Sequence, residues 1–226
     1  MKRIGIIFAM EEELQSLLDL VELKKEKKIY DITFYECTLK EKELVLAESG
    51  IGKVNAARAT QIMIDKMNVD CIFNIGVAGS LSKDVKVCDM VIGEKLVQHD
   101  FDITAFDHDK GYVPKVGVYV ESNSDLVKLA EKIDKNAHTG VIASGDIFCT
   151  DKEMSKKIAK DFHALCVEME GASIAQVCYL SKIPFLVIRC ISDSPDGSKN
   201  KLTYDEFLKI SSEKASKYLK EMIEKA

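Results

Sequence analysis

Three carboxylic side chains stand behind apolar, strand-like runs of this chain: Glu13 after Ile4–Ala9, Glu170 after Ala164–Val167 and Asp193 after Phe185–Ile191. Carboxyl groups held in different surroundings can act as general acid and general base at one pH. In an open α/β sheet, ligands collect in the crevice beyond the carboxyl ends of the strands, so the pattern predicts that these three acids converge there. Each also has a plainer reading. Glu11, Glu12 and Glu13 would complement the dipole of a first helical turn, although three acids in a row leave one free to point into a cleft. Val167-Glu168-Met169-Glu170-Gly171 reads as a polar strand end capping a helix that starts near Gly171. If that backbone is extended, Glu168 and Glu170 face one way and Met169 the other. Arg189 interrupts an apolar strand, which calls for a carboxylate partner; a buried structural ion pair is the plain account.

Other reactive patterns fail on spacing. Ser49-Gly50-Ile51-Gly52-Lys53-Val54 lacks the spacing of a Walker loop, and its glycines stop short of a dinucleotide fingerprint at Asn55. Asn74-Ile75-Gly76-Val77-Ala78-Gly79-Ser80 is a strand ending in glycines, open to two readings: a tight turn, or close approach of backbone to a ligand. The four His and seven Cys show no metal-ligand spacing, so no bound metal is expected. No G-x-S-x-G elbow offers a serine nucleophile.

The elements that must position these groups alternate in the α/β manner. Strands are expected at Ile4–Ala9, Ile29–Cys37, Leu44–Glu48, Cys71–Ile75, Met90–Val97, Val116–Tyr119, Thr139–Ala143, Ala164–Glu168 and Phe185–Ile191. Helices are expected at Glu11–Leu23, Lys53–Met67, Ser124–Asp134, Lys152–Asp161, Gly171–Ser181 and Thr203–Glu224. Phe185-Leu186-Val187-Ile188 is apolar on both faces and needs cover from both sides, which makes a three-layer α/β/α sandwich the expected architecture. The last helix carries an apolar stripe of Leu202, Phe207, Ile210, Tyr218, Leu219 and Met222, the spacing of core packing. Gln98–Val113 is the one long irregular stretch, and such loops are usually functional or interfacial.

The chain is 226 residues long, 46% hydrophobic and 31% charged, which fits one domain over residues 1–226 with a core large enough to need no disulfides. A net charge of −5, with only three arginines (Arg3, Arg58, Arg189), argues against a nucleic-acid partner. The seven cysteines are odd in number and sit in apolar runs, the pattern of reduced core thiols in a cytosolic protein. Acidic residues follow the first apolar run where a signal peptide would stay apolar, and no stretch nears the roughly 18 apolar residues of a membrane span. A cytoplasmic protein with no membrane contact is expected.

Seven ordered segments together resemble one family: Gly5-Ile6-Ile7-x-Ala9-Met10-Glu11-Glu12-Glu13, Ser49-Gly50-Ile51-Gly52-Lys53-Val54-Asn55-Ala56-Ala57, Gly76-x-Ala78-Gly79, Asp102-Ile103-Thr104-Ala105-Phe106, Ser144-Gly145-Asp146, Val167-Glu168-Met169-Glu170 and Ile191-Ser192-Asp193. The chain resembles the 5′-methylthioadenosine/S-adenosylhomocysteine nucleosidases of the nucleoside phosphorylase superfamily, nearly end to end. The resemblance implies a nucleoside phosphorylase-like fold with a central mixed sheet, and hydrolysis of the N-glycosidic bond of a 5′-thioadenosine without metal or organic cofactor. It implies that Glu13 activates water, that Asp193, supported by Ser192, protonates adenine N7, and that Arg189 holds the water and the acids. Glu170 would take the ribose hydroxyls, with Met169 packed on the sugar and Glu168, Ala78 and Gly79 beside them. Phe148 would stack on the base and the Cys149 backbone would read its amino edge. Ile51, Phe207 or its neighbour Tyr204, and Phe106 and Pro114 from a second copy would line the 5′-thioalkyl pocket, making a homodimer.

The chemistry agrees with those roles. Breaking a ribosyl C–N bond builds positive charge on the sugar and negative charge on the base, so an acid is needed on one side and a carboxylate-polarised water on the other. Asp193 must then keep its proton near neutral pH, for which burial in an apolar pocket is the expected cause. Many relatives have a hydroxyl residue at the position of Val77, so one polar contact is either missing or supplied by Ser80. A phosphorylase would need an arginine fork for phosphate. A futalosine-type nucleosidase shares the scaffold and differs in the 5′ pocket. A non-catalytic adenosine-binding protein would have lost Glu13 or Asp193, and both are present.

Overall fold

Residues 2–193 and 204–225 are described by the computed structural model, positions 204, 205 and 207 in backbone only. The elements run β1 (Arg3–Phe8), α1 (Glu11–Leu18), β2 (Glu22–Ile29), β3 (Ile32–Leu39), β4 (Lys42–Glu48), α2 (Lys53–Met67), β5 (Cys71–Ser80), β6 (Met90–Gln98), β7 (Val120–Glu121), α3 (Ser124–Ile133), β8 (His138–Ser144), α4 (Lys152–Phe162), β9 (Ala164–Glu168), α5 (Gly171–Ser181), β10 (Phe185–Asp193) and α6 (Tyr204–Lys225).

All ten described strands belong to one mixed sheet. β2, β3 and β4 form an antiparallel meander, and β4, β1 and β5 continue it in parallel. β5 branches the sheet: its first residues pair with β1, nearly its whole length with β10, and Gly79 and Ser80 with β9. Because β10 also pairs with β6, β6 with β8 and β8 with β9, five strands close into a ring.

Helices cover both faces, the layering expected from strands apolar on both sides. On one face Leu14 and Leu17 of α1, Leu126 and Ala130 of α3, and Ala215, Leu219 and Met222 of α6 pack on Ile4, Phe73 and Ile188. On the other, Ala56, Ala59, Met63 and Met67 of α2 recur at helical spacing and pack with Ala172, Ala175 and Cys178 of α5. α4 adds a third cluster through Ile158 and Phe162. Asn123 and Asp151 cap α3 and α4, each accepting two backbone N–H groups.

Several boundaries depart from the expectation. α1 ends at Leu18, not Leu23, because the N–H groups of Leu20 and Val21 turn back onto the Leu17 and Leu18 carbonyls and lead the chain into β2. The strand expected at Ile29–Cys37 is two strands joined at Tyr30–Asp31, with Tyr30 at φ 56°. β2 has no apolar period to announce it, since its residues are almost all exposed; its lysines sit on the open edge of the sheet, where charge discourages pairing with other chains. Val116–Tyr119 is not a strand: one bridge joins Val113 to Gly117, and pairing with β6 starts at Val120. On α6, Ile210 is 44% exposed, because the buried face runs through Leu208, Ser211, Ser212 and Ala215. Leu202 and the side chains of Tyr204 and Phe207 lie outside the described residues. Five cysteines are buried as expected, but Cys88 and Cys149 are only partly covered. No described helix is long and apolar enough to cross a membrane.

Candidate active site

The carboxyl ends of β1, β5, β9 and β10 open onto one cavity of about 680 Å³, its open mouth included. Glu13, Glu168, Glu170 and Asp193 all reach its wall, so the three acids that follow separate strands do converge. Among the described residues the wall holds no lysine or arginine.

Glu11 and Glu12 are exposed, whereas Glu13 is buried. It is the third residue of α1, and its Oε2 accepts the Ala9 and Met10 N–H groups at 3.1 and 3.2 Å, the return half of a capping box. Its Oε1 accepts the Val77 N–H at 3.0 Å. Burial pushes its pKa up, against the pull of Arg189 and the three N–H groups. A carboxyl group so poorly solvated is, once ionised, well suited to polarising a water.

Two glycines of β5 make room for the acids. A Cβ at Gly76 would lie 2.6 Å from Glu13 Oε1, and one at Gly79 would lie 2.9 Å from Asp193 Oδ2. The glycine-ended strand is therefore a place of close approach, with extended backbone continuing to Ser80.

Glu168 ends β9, and the backbone leaves the extended form there, so Met169 and Glu170 turn onto the cavity as well. The expected alternation of Met169 away from the two acids is lost for that reason. Glu168 is the partner that Arg189 requires: the two form an ion pair, both side chains about 2% exposed. Glu168 also takes the Ser144 hydroxyl and the Glu170 and Gly171 N–H groups. Arg189 donates further to Asn74 Oδ1 at 2.5 Å and to the Ile188 carbonyl at 2.9 Å. It lies behind the wall and not on it. Burial works against its charge, but Glu168, Glu170 and Glu13 outweigh that and raise its pKa.

Glu170 sits at the start of α5, buried, with Oε1 accepting the Gly52 N–H at 2.8 Å. Burial and the neighbouring Glu168 push its pKa up to about 7, while Arg189 and the Gly52 N–H hold it down. Asp193, the last residue of β10, accepts the Ser192 hydroxyl at 2.8 Å. It is exposed, not buried as the acid role led one to expect, because it stands at the strand's end where the cavity opens.

Ile51, Ala78, Gly79, Phe148 and Cys149 line the cavity as expected, with Phe148 64% exposed at the mouth. Ser80 does not reach it: its hydroxyl donates to the Ser82 and Val85 carbonyls, and Val77 contributes its N–H to Glu13 instead. Phe106 and Pro114 are exposed on the long loop and do not line this chain's own cavity. Met10 and Ile147 are wall residues to which the sequence assigned no role, and the supports Asn74 and Ser144, though inside quoted segments, were likewise given none. A lone Asn inside the apolar run Cys71–Ile75 was the available signal for the first. No group of three or more His, Cys, Asp or Glu among the described residues could hold a metal.

Residues 3–224 match the model of the phosphorylase superfamily. The chain belongs to that superfamily. The resemblance carried by the seven motifs is thereby borne out. Among its relatives, an aminodeoxyfutalosine nucleosidase of Helicobacter pylori is 40% identical over 99% of both chains. A 5′-methylthioadenosine/S-adenosylhomocysteine nucleosidase of an Exiguobacterium species is 40% identical over 95% of this chain and 94% of its own. A crystal structure of the Helicobacter pylori 5′-methylthioadenosine/S-adenosylhomocysteine nucleosidase, complexed with a 4-aminopyrrolopyrimidine bearing a thioether-substituted pyrrolidinol, superposes with a TM-score of 0.94. It is 39% identical and covers 100% of this chain and 99% of its own.

Proposed function

We propose that this protein hydrolyses the N-glycosidic bond of 5′-methylthioadenosine and S-adenosylhomocysteine, releasing adenine and the 5-thioribose. The observation that carries the reading is a cavity walled by four carboxyl groups and, among the described residues, no cation. Such a wall repels phosphate and favours the cationic sugar that forms as the bond breaks. Each arginine is engaged elsewhere: Arg3 with Glu36 and Glu43, Arg58 with Asp31, and Arg189 with Glu168. None is left to fork a phosphate, which sets a phosphorylase aside.

Glu13, fixed by three backbone N–H groups, orients and deprotonates the water. Glu170 takes the ribose hydroxyls, and Met169 packs on the sugar. At the opposite end Asp193, with Ser192 on its carboxyl, protonates adenine N7; the bound purine itself then supplies the apolar cover that Asp193 lacks. Phe148 closes over the base and the Cys149 backbone reads its amino edge. Arg189 acts through Glu168 and the field it places on Glu13 and Glu170. Ile51, with Tyr204 or Phe207, faces the 5′ substituent. Phe106 and Pro114, exposed here, complete that pocket in a second copy, so the working form is a cytoplasmic homodimer over a single 1–226 domain, and no cofactor takes part.

The deciding experiment follows adenine release from methylthioadenosine in phosphate-free buffer and again with phosphate. Free thioribose in both supports the hydrolase; a sugar phosphate or a phosphate requirement sinks it. Asp193→Asn should keep binding and lower turnover by a factor on the order of 10² to 10⁴. A second reading, aminodeoxyfutalosine as substrate, is favoured by the 40% identity to the nucleosidase of that name; running both nucleosides in competition ranks the two. Sedimentation of the wild type and of Phe106→Ala tests the dimer.

A further inference from the structure

Three segments remote in sequence meet behind the Glu170 wall: the start of α2, the residues after β6 and the turn after β8. The Lys53 ammonium, its side chain 15% exposed, donates to Asp100 Oδ1 at 2.6 Å and to Gln98 Oε1 at 3.0 Å. Asp100 Oδ2 accepts the Asp146 N–H at 2.9 Å, and Asp146 Oδ1 accepts the Lys53 N–H at 2.8 Å. The bonds close a ring that begins and ends on Lys53. None of the three residues reaches the cavity wall.

Gly52 stands between this ring and Glu170. Its φ of 100° is one that residues with a Cβ rarely adopt, and a Cβ there would lie 3.1 Å from Asp146 Oδ1. The Gly52 N–H points at Glu170 Oε1 while the next N–H along, that of Lys53, points at Asp146. Holding the second N–H therefore holds the first. We infer that the Lys53–Asp100–Asp146 ring is a positioning device for Glu170: it keeps the Gly52 N–H on one carboxylate oxygen and leaves the other to bind the sugar hydroxyls. The inference rests on the proposed role of Glu170 in ribose binding.

The electrostatics of the ring agree with a standing charge. Burial disfavours the Asp100 carboxylate, but the Lys53 ammonium and the Asp146 N–H more than compensate and hold its pKa below the usual range. Around Glu170 the charged groups are Glu168 from β9, Arg189 from β10 and Glu13 from α1, with the Gly52 N–H as the fourth influence. Of these only the Gly52 N–H depends on the ring. A loosened ring removes a donor from Glu170 while its acidic neighbours stay, so its carboxyl holds its proton to higher pH.

The test compares Lys53→Met, Lys53→Arg, Asp100→Asn and the Lys53→Met/Asp100→Asn pair with wild type, on methylthioadenosine and on its 3′-deoxy analogue. Lys53→Met and Asp100→Asn should each raise KM for the ribonucleoside about tenfold, the order expected for one lost charge-assisted hydrogen bond. kcat should stay within about threefold, as for an interaction that binds substrate and transition state alike. Both variants should narrow the preference for the hydroxylated sugar, and the double variant should lose no more than either single one, because one ring is broken in each case. Lys53→Arg should recover part of the loss. A lowered melting temperature with KM and sugar preference unchanged, or losses that add in the double variant, would overturn the inference. A ¹³C NMR titration of the Glu170 carboxyl in the free protein gives a readout independent of activity: its midpoint rises in Lys53→Met, and an unmoved midpoint overturns the ring's role. If wild type itself shows no preference for the hydroxylated sugar, the ribose-binding reading of Glu170 fails, and the titration still decides the ring.

Discussion

Replacing Arg189 by Met removes, among the described residues, the cation buried between Glu13, Glu168 and Glu170 while keeping most of the side chain's volume. Breaking a fully buried ion pair from one side costs about 3–5 kcal/mol. Glu168 would keep the Ser144 hydroxyl and the Glu170 and Gly171 N–H groups, which places the loss at the lower end, about 3 kcal/mol. For a chain of this size that is a fall in melting temperature of roughly 6–12 °C. The functional effect has a separate sign. Arg189 holds the pKa values of Glu13 and Glu170 down, so without it both carboxyls keep their protons to higher pH. The acid limb of kcat/KM should move up by about one unit or more. Calorimetry and a pH–rate profile of adenine release read the two effects on one preparation. A variant within about 1 kcal/mol of wild type and with an unmoved acid limb would refute the reasoning, since it would mean that solvent already screens the pair.

Gly76→Ala should lower kcat on the order of tenfold to a hundredfold, because its Cβ must displace the Glu13 carboxylate that three N–H groups hold in place; stopped-time assays of adenine release with unchanged kcat would contradict this. Glu13→Gln, which keeps the shape and removes the base, should cost turnover a factor of about 10² to 10⁴, read from the same assay with ligand binding measured alongside. Glu170 is predicted to stabilise the ligand-free protein fully below its ordinary pKa of 4.5 and to lose that contribution as pH rises to about 7, because the folded state binds the proton more tightly. Urea titrations of wild type and Glu170→Gln should therefore show a stability difference that slopes downward over that window, and an upward slope would contradict the raised pKa. Adenine release should be unaffected by a chelator, as no described cluster could hold a metal.

The parts of the site that follow strand ends were legible because a strand's carboxyl end has a chemical address in the sequence: apolar residues, then an abrupt acid. Glu13, Glu170 and Asp193 all lie at such points, and the cavity lies beyond them. Central strands and the long helices were legible for the same reason, since burial on both faces leaves uninterrupted apolar runs and helical cover leaves a period. β2 was not, because an exposed edge strand is held by its backbone ladder with β3, and its side chains report only solvent.

Residue types and local order by themselves determined which groups could do chemistry here: acids after strands, glycines where backbone must come close, and too few arginines for an anion. Only the tertiary structure decided which of Glu11, Glu12 and Glu13 is buried, that Glu168 neutralises Arg189 while Glu170 faces the cavity, and that Lys53, Asp100 and Asp146 close a ring. The physical reason is that a side chain's burial, its partner and its proton affinity are set by groups dozens of residues away, which the chain brings within 3 Å only when the sheet closes on itself through β5.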